Sequence, residues 1–302
     1  MAKLLITGGA GFIGIHTCLT LIESGHNIII LDSLLNSSPN SIKKLIEISD
    51  LNEDQAKEKI EVVIGDIRNK ELISSLFLDS INNSEPIDAV IHLAGLKAVN
   101  ESIQDPFNYW DVNVNGAISL LSAMDKHNCK TLIFSSSATV YGVPNSIPIS
   151  EDAELRPINP YGNTKLSVEK FLKDIYDSDN EWKIISLRYF NPVGAHISGL
   201  IGEDPLGKPN NLFPIISQVA IGRREKLQVY GDNWPTEDGT CIRDYIHTMD
   251  LAEGHLAAFN YLQKSQGQCI YLNLGIGNGI SVLEVLKEYE KASSRKIKRR
   301  RR

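Results

Sequence analysis

The 302-residue chain is predicted to be an α/β protein, a doubly wound parallel Rossmann-type sheet with a smaller C-terminal substrate domain. Three observations carry that prediction. Apolar strand-like runs alternate with helical segments from Lys3 to about Arg188, which calls for parallel strands joined by crossover helices. The stretch Thr7-Gly8-Gly9-Ala10-Gly11-Phe12-Ile13-Gly14 follows the first run and opens the first helix. Gly11, Asp32, Asp66, Gly95 and Ser137 all fall at the carboxyl ends of predicted strands, where open α/β sheets place their sites.

Taken in order, Lys3–Thr7 is a short apolar strand, and the helix after the glycine loop runs to about Ser24, where Gly25 stops it. Gly8, Gly11 and Gly14 permit a tight turn, close approach of a pyrophosphate and helix–strand packing, while the helix N-terminus offers amides and dipole to phosphates. His26–Leu31 is a second strand ending at Asp32, placed to bond ribose hydroxyls and to repel a 2′-phosphate. That spacing points to NAD rather than NADP. A polar helix around 41–49 and a Lys/Glu/Asn-rich connection lead to the strand Ile60–Ile64 and Gly65-Asp66-Ile67. Asp66 reads either as a bracket for the adenine or as a cap for the next helix. Ala89–Leu93 is a buried strand with His92 packed in it, and small Ala94 and Gly95 beyond it allow close approach to a cofactor. One long helical segment, 105–127, precedes the strand Thr131–Ser135.

The chemistry is predicted at Tyr161 and Lys165. Tyrosine is a poor base near neutrality, with an ordinary pKa of about 10. A lysine one helical turn later shares its face and stabilises the phenolate. The pair alone is a weak signal, because Tyr and Lys at this spacing are common on solvated helices. Ser135-Ser136-Ser137 ends the preceding strand with hydroxyls, of which Ser137 is placed to face the reacting oxygen across from Tyr161. No G-x-S-x-G elbow surrounds these serines, so a hydrolase nucleophile is not expected. Pro160 suits the first turn of the Tyr161 helix. Beyond the strand 182–188 the chain turns Gly-, Pro- and Asn-rich, with a helix near 250–262, a strand near 271–274 and a helix near 281–290. The division expected is 1–189 for NAD, 190–295 for substrate and 296–302 as a disordered basic tail. Asn, Arg and aromatic residues in the second part suit a sugar nucleotide.

Composition narrows the classes. Hydrophobic residues at 42% and charged residues at 23% suit a globular chain with a sizeable core. Cys18, Cys129, Cys241 and Cys269 are scattered without a CxxC pair, which argues against a zinc site or disulfide framework and for a reducing compartment. A strand-like run from Lys3 leaves no room for a signal peptide, and no apolar run reaches membrane-spanning length, so a cytoplasmic location is expected. The net charge is −6, but the six cations in residues 296–302 leave the remainder at −12, which does not suit nucleic-acid binding.

These residues resemble the extended short-chain dehydrogenase/reductase family, from Thr7 to about Ser294, and most closely its branch acting on UDP-hexoses. The branch-specific stretches are His92–Val99, Tyr189–His196, Pro209–Leu212 and Thr236–Thr240. The resemblance implies tightly bound NAD held by Gly8, Gly11, Phe12, Ile13, Gly14 and Asp32, with Asn36 and Ser37 beside them. It extends the cofactor set to Asp66, Ile67, Leu93, Lys97, Lys165 and Phe190. UDP-sugar contacts are implied at Ser137, Tyr161, Tyr189 and Asn191, and further along at Asn211, Leu212, Tyr230 and Arg243. The activity implied is reversible interconversion of UDP-glucose and UDP-galactose at C4 through a 4-keto sugar. A homodimer paired through the 105–127 and 159–179 helices is implied as well.

Two departures from the family pattern stand out. Cys241 replaces the usual glycine beside Arg243. The chain also ends in Lys296–Arg302 where the family runs on through an Arg-x-Gly-Asp segment that helps hold UDP. A truncated or frame-shifted product, with NAD binding kept and UDP-sugar affinity weakened, is the expectation. A related 4,6-dehydratase would carry an acid/base carboxylate pair where Ala138 and Thr139 stand. A non-catalytic NAD-binding regulator would typically have lost the Tyr161/Lys165 pair, which is intact.

Overall fold

The computed structural model describes residues 1–207, 209–231 and 233–301. The chain runs β1 (Lys3–Thr7), α1 (Phe12–Glu23), β2 (Asn27–Asp32), α2 (Pro39–Ile48), α3 (Glu53–Lys59), β3 (Ile60–Ile64), α4 (Lys70–Asn82) and β4 (Ala89–His92). It continues through α5 (Val99–Gln104), α6 (Pro106–Trp110), α7 (Gly116–Lys126), β5 (Thr131–Ser137), α8 (Pro160–Ser178) and β6 (Lys183–Tyr189). Beyond lie β7 (Asn191–Val193), α9 (Leu212–Ala220), β8 (Leu227–Val229), β9 (Ile242–His247), α10 (Thr248–Lys264) and β10 (Gln268–Leu274). The chain closes with β11 (Gly279–Ser281), α11 (Val282–Ser293) and β12 (Arg299–Arg301).

Seven strands form one parallel sheet in the order β10-β6-β5-β4-β1-β2-β3. Alternate residues of each strand feed opposite cores, so the central strands read as continuous apolar runs. Leu4, Ile6, Ile28 and Ile30 pack with Leu19 of α1 and Phe259 and Leu262 of α10. Leu5, Ile29 and Leu31 pack instead with Phe77 of α4, Leu120 and Met124 of α7, and Leu172 of α8. Each such side chain, wholly buried, contributes about 1.5–3 kcal/mol. The order reverses between β1 and β4, which opens a crevice at their carboxyl ends.

Four expectations need correction. The boundary at 189/190 is not a single cut, because β10 returns to pair with β6 and α10 packs on α1. The apolar face of α10 and the free edge of β6 are thus both covered across that boundary. The remaining C-terminal elements form a three-stranded sheet, β11-β9-β7, and a two-stranded one, β12-β8, around Ile216, Leu227, Val229, Leu286 and Ile297. The tail is therefore not disordered through residue 301: Ile297 is buried and β12 pairs in parallel with β8. The polar connection after α2 contains α3, started by a capping box between Asn52 and Gln55. The segment 105–127 is not one helix, since Asp105 caps α6 and Asp111–Asn115 widen into a π turn before α7.

Candidate active site

The reversal point is built by contact between backbones. Gly8 sits at φ +71°, and a Cβ there would lie 2.7 Å from the Ala94 amide nitrogen. Thr7 Oγ1 and His92 Nδ1 lie 2.7 Å apart, and Ala94 N–H donates to the same Thr7 oxygen at 3.3 Å. Gly14 is packed as tightly, with a hypothetical Cβ 2.2 Å from the Gly8 carbonyl oxygen. The N-cap of α1 is Gly11, which supplies no side-chain cap, so the first-turn amides are left for an incoming acceptor. Asp32 ends β2 nine-tenths buried. Its carboxylate accepts from Ala10 N–H (3.0 Å), Leu34 N–H (2.9 Å) and Ser37 O–H (2.7 Å). Uncapped amides, a surface without Cβ atoms and a fixed carboxylate fit a dinucleotide, with Phe12, Ile13 and Asp32 as its holders.

Lys165 lies at the floor of this crevice. Its Nζ donates to the Ser135 carbonyl at 2.7 Å and sits 5.0 Å from the centre of the Phe134 ring and 5.9 Å from that of Tyr161. A Cβ at Gly95 would be 3.7 Å from Nζ, so the glycine keeps the ammonium reachable from above. Burial brings the Lys165 ammonium down to about 8, with Glu169 opposing. Burial likewise raises the Tyr161 phenol, and a hydrogen bond with the Ser137 side chain pulls it back. His92 is held neutral, lowered to about 3 by burial first and Lys165 second. Tyr161 stands in the first turn of α8, whose N-cap Asn159 accepts from Gly162 N–H at 2.8 Å, with Pro160 at the first helical position. β5 thus brings Ser137 and the Lys165 acceptor to one end, and α8 brings Tyr161 and Lys165 to meet them.

The other predicted residues divide. Asp66 grips Arg68, which also pairs with Asp111 at 2.5 Å, and Asn69 rather than Asp66 caps α4. Ile67 is buried against Gly116. Asn36 is exposed and Leu93 half-buried beside the reversal point. Lys97 and Asn211 both engage the carboxylate of Glu203, Lys97 at 3.3 Å. Asn191 donates to the Asp244 carbonyl at 3.1 Å, and Phe190 packs beside Gly275. Leu212 packs into the C-terminal core, whereas Arg243 and Tyr230 stand exposed on β9 and just after β8. Tyr189 is a correction: its ring is buried and its hydroxyl is committed to His255, so it faces the core and not the crevice.

Asn113 was not legible in the sequence. In the π turn its amide accepts from Leu96 N–H (2.8 Å) and donates to Leu96 O (3.1 Å) and to Thr164 Oγ1 (3.0 Å). It thereby ties the loop at Leu96 to α8. A break in an apolar helical pattern near 111–115 leaves no residue-type signal. Among the described residues no group of three or more His, Cys, Asp or Glu side chains is arranged to hold a metal ion, and no helix is long and apolar enough to cross a membrane.

Comparison with known proteins agrees with this geometry. The family described as NAD dependent epimerase/dehydratase matches residues 4–275. The chain is 52% identical over 296 residues to the bifunctional UDP-glucose 4-epimerase and UDP-xylose 4-epimerase 1 of Pisum sativum, covering 98% of this chain and 82% of that one. It is 49% identical over 294 residues to the UDP-glucose 4-epimerase of Bacillus subtilis (strain 168), covering 97% and 83%. It superposes with a TM-score of 0.91 and 44% identity on the crystal structure of UDP-glucose 4-epimerase from Bifidobacterium longum in complex with NAD+ and UDP, over 100% of this chain and 86% of that one. With its glycine loop, acidic β2 terminus and Tyr161–Lys165 pair in the matched region, the chain belongs to the NAD dependent epimerase/dehydratase family.

Proposed function

We propose that the chain interconverts UDP-glucose and UDP-galactose by inverting the sugar at C4, as an NAD-dependent isomerase of galactose metabolism. The observation that carries the reading is the pairing on α8 of half-buried Tyr161 with buried Lys165, set against the serine end of β5. Bound NAD supplies a reversible hydride acceptor for C4, so no net redox occurs. Tyr161 takes the proton of the 4-hydroxyl and later returns it, with the Ser137 hydroxyl bridging the same oxygen. Lys165 stabilises the phenolate, and in a dry site that charge interaction is strong. The sugar turns over between the two proton transfers, which exchanges the face presented at C4.

UDP-sugar recognition is assigned to Asn191, Asn211, Leu212, Tyr230 and Arg243, which cluster in the C-terminal elements. The NAD holders are those of the reversal point, extended to Lys97 and Phe190. Ala138 and Thr139 follow β5 directly, and neither is a proton carrier for a 4,6-elimination. A homodimer through α6–α8 is supported by the exposure of Phe107 and Trp110 on α6, with Phe107 at 88%. The cytoplasm is supported by four cysteines that form no disulfide. The test is conversion of UDP-galactose to UDP-glucose by this 302-residue chain, with Tyr161→Phe as control. An NAD-loaded parent that converts nothing would refute the function. Sedimentation as a monomer would refute the dimer.

A further inference from the structure

Three consecutive serines end β5, and the structure gives each a different task. The Ser135 carbonyl accepts from Lys165 Nζ at 2.7 Å, and Ser137 faces Tyr161. Ser136 has no part in that chemistry, yet it is wholly buried and its hydroxyl donates to Glu169 Oε1 at 2.5 Å. Tyr161, Lys165 and Glu169 lie at successive turns of α8, so they form one line on one helix face. Residues 135–137 run beside that line. Resting on the proposed function, we infer that Ser136 and Glu169 are positioning residues for the proton-transfer pair. Their hydrogen bond clamps the end of β5 to α8 and so fixes Ser135 and Ser137 against Lys165 and Tyr161.

The clamp has a second jaw. Arg188 of β6 stands opposite Ser136 in the β5–β6 register. It donates to both oxygens of Glu169, from Nε at 3.0 Å and from Nη2 at 2.8 Å. One carboxylate on α8 thus takes donors from two adjacent strands at the same level of the sheet. The guanidinium is itself fixed by Tyr141 Oη (2.9 Å) and the Glu151 carbonyl (3.0 Å), and lies between the Tyr141 and Tyr271 rings. A buried ion pair of this kind is seldom more stabilising than an apolar pair of the same volume. Its value here is directional: it holds three elements in one register beneath the reacting groups. The charged or titratable groups facing Lys165 are Tyr161 and Glu169 on its own helix and His92 on β4, with Arg188 of β6 behind Glu169.

The decisive variant is Ser136→Ala, which removes one hydroxyl and leaves the Glu169–Arg188 pair in place. In the NAD-loaded chain it is expected to lower kcat about tenfold, in the range by which small misplacements slow reactions, with KM for UDP-galactose within about twofold. Independently of turnover, ¹³C-tyrosine NMR assigned with Tyr161→Phe should show the Tyr161 phenol titrating at higher pH in Ser136→Ala than in the parent. An unmoved titration and a kcat within about twofold of the parent, in a variant of parental melting temperature, would overturn the inference. Glu169→Gln keeps an acceptor for Ser136 and removes only the charge, so no rise of the Tyr161 titration is expected there, and a rise as large as in Ser136→Ala would overturn the inference. Should Ser136→Ala fail to fold, Ser136→Cys weakens the donor without leaving a void, and parental titration of Tyr161 in that variant would overturn the inference instead. A parent that binds NAD yet converts no sugar counts against the proposed function alone, because the two Tyr161 titrations still decide the clamp.

Discussion

At the scale of single residues, the site sets two ionisable groups against their own charged forms. Burial lowers the Lys165 ammonium and raises the Tyr161 phenol, so a dry environment disfavours both the cation and the phenolate. The same dryness strengthens their attraction once both are charged. Replacing Tyr161 by Phe removes the proton acceptor and should cut kcat by about 10²–10⁴-fold while bound NAD, read from absorbance after denaturation, stays at the parental level. Activity and stability should also respond to pH in opposite directions. Lys165 titrates near 8 in the folded chain against an ordinary 10.5, so the ammonium is lost and kcat/KM falls as pH rises through about 8. Over the same window the unfolded chain binds more protons than the folded one, so the contribution of Lys165 to stability rises with pH. Parallel pH profiles of kcat/KM and of the urea midpoint, for the parent and for Lys165→Met, would show whether the two trends diverge and whether both vanish in the variant.

At the scale of elements, the β1–α1 turn depends on missing side chains more than on present ones. A Cβ on Gly14 would sit 2.2 Å from Gly8 O and 2.7 Å from Gly9 Cα, neither of which is a flexible side chain. Gly14→Ala should therefore lower stability by about 1–3 kcal/mol and strip NAD, as overpacking against rigid neighbours does. Gly25, which ends α1, makes the contrast: its φ is +85° but no atom lies within 4 Å of a Cβ there. Gly25→Ala should cost only the strain of the left-handed backbone, about 1 kcal/mol, and leave NAD content unchanged. Denaturant midpoints and cofactor stoichiometry of the two variants separate these cases. The π turn at Asp111–Asn115 belongs to the same scale, since its widening is what lets Asn113 reach both Leu96 and Thr164.

At the scale of the molecule, the C-terminal third serves two bodies. α10 and β10 complete the large sheet, whereas α9, α11 and the short strands enclose a separate core that reaches Ile297. Ile297 is 3% exposed and leads into β12, which covers β8. Ile297→Ala should lower stability by about 2–5 kcal/mol, as burial-to-cavity substitutions do, and expose 227–229 to protease. If the melting temperature and the digestion pattern match the parent, the tail does not hold that core together.

The sheet, the glycine turn, Asp32 at the end of β2 and the Tyr161–Lys165 helix were legible from the order of residues, because each rests on local pattern. Strand runs are continuous where both faces are covered, a pyrophosphate turn needs glycine at fixed offsets, and a shared helix face follows from spacing alone. Tertiary structure alone decided that Tyr189 turns to His255, that β10 closes the large sheet, that Arg299–Arg301 pair with β8, and that Asn113 and Glu169 belong beneath the site. Each of those depends on contacts between residues far apart in the chain, and a buried carboxylate or amide has no local signature to distinguish it from an exposed one.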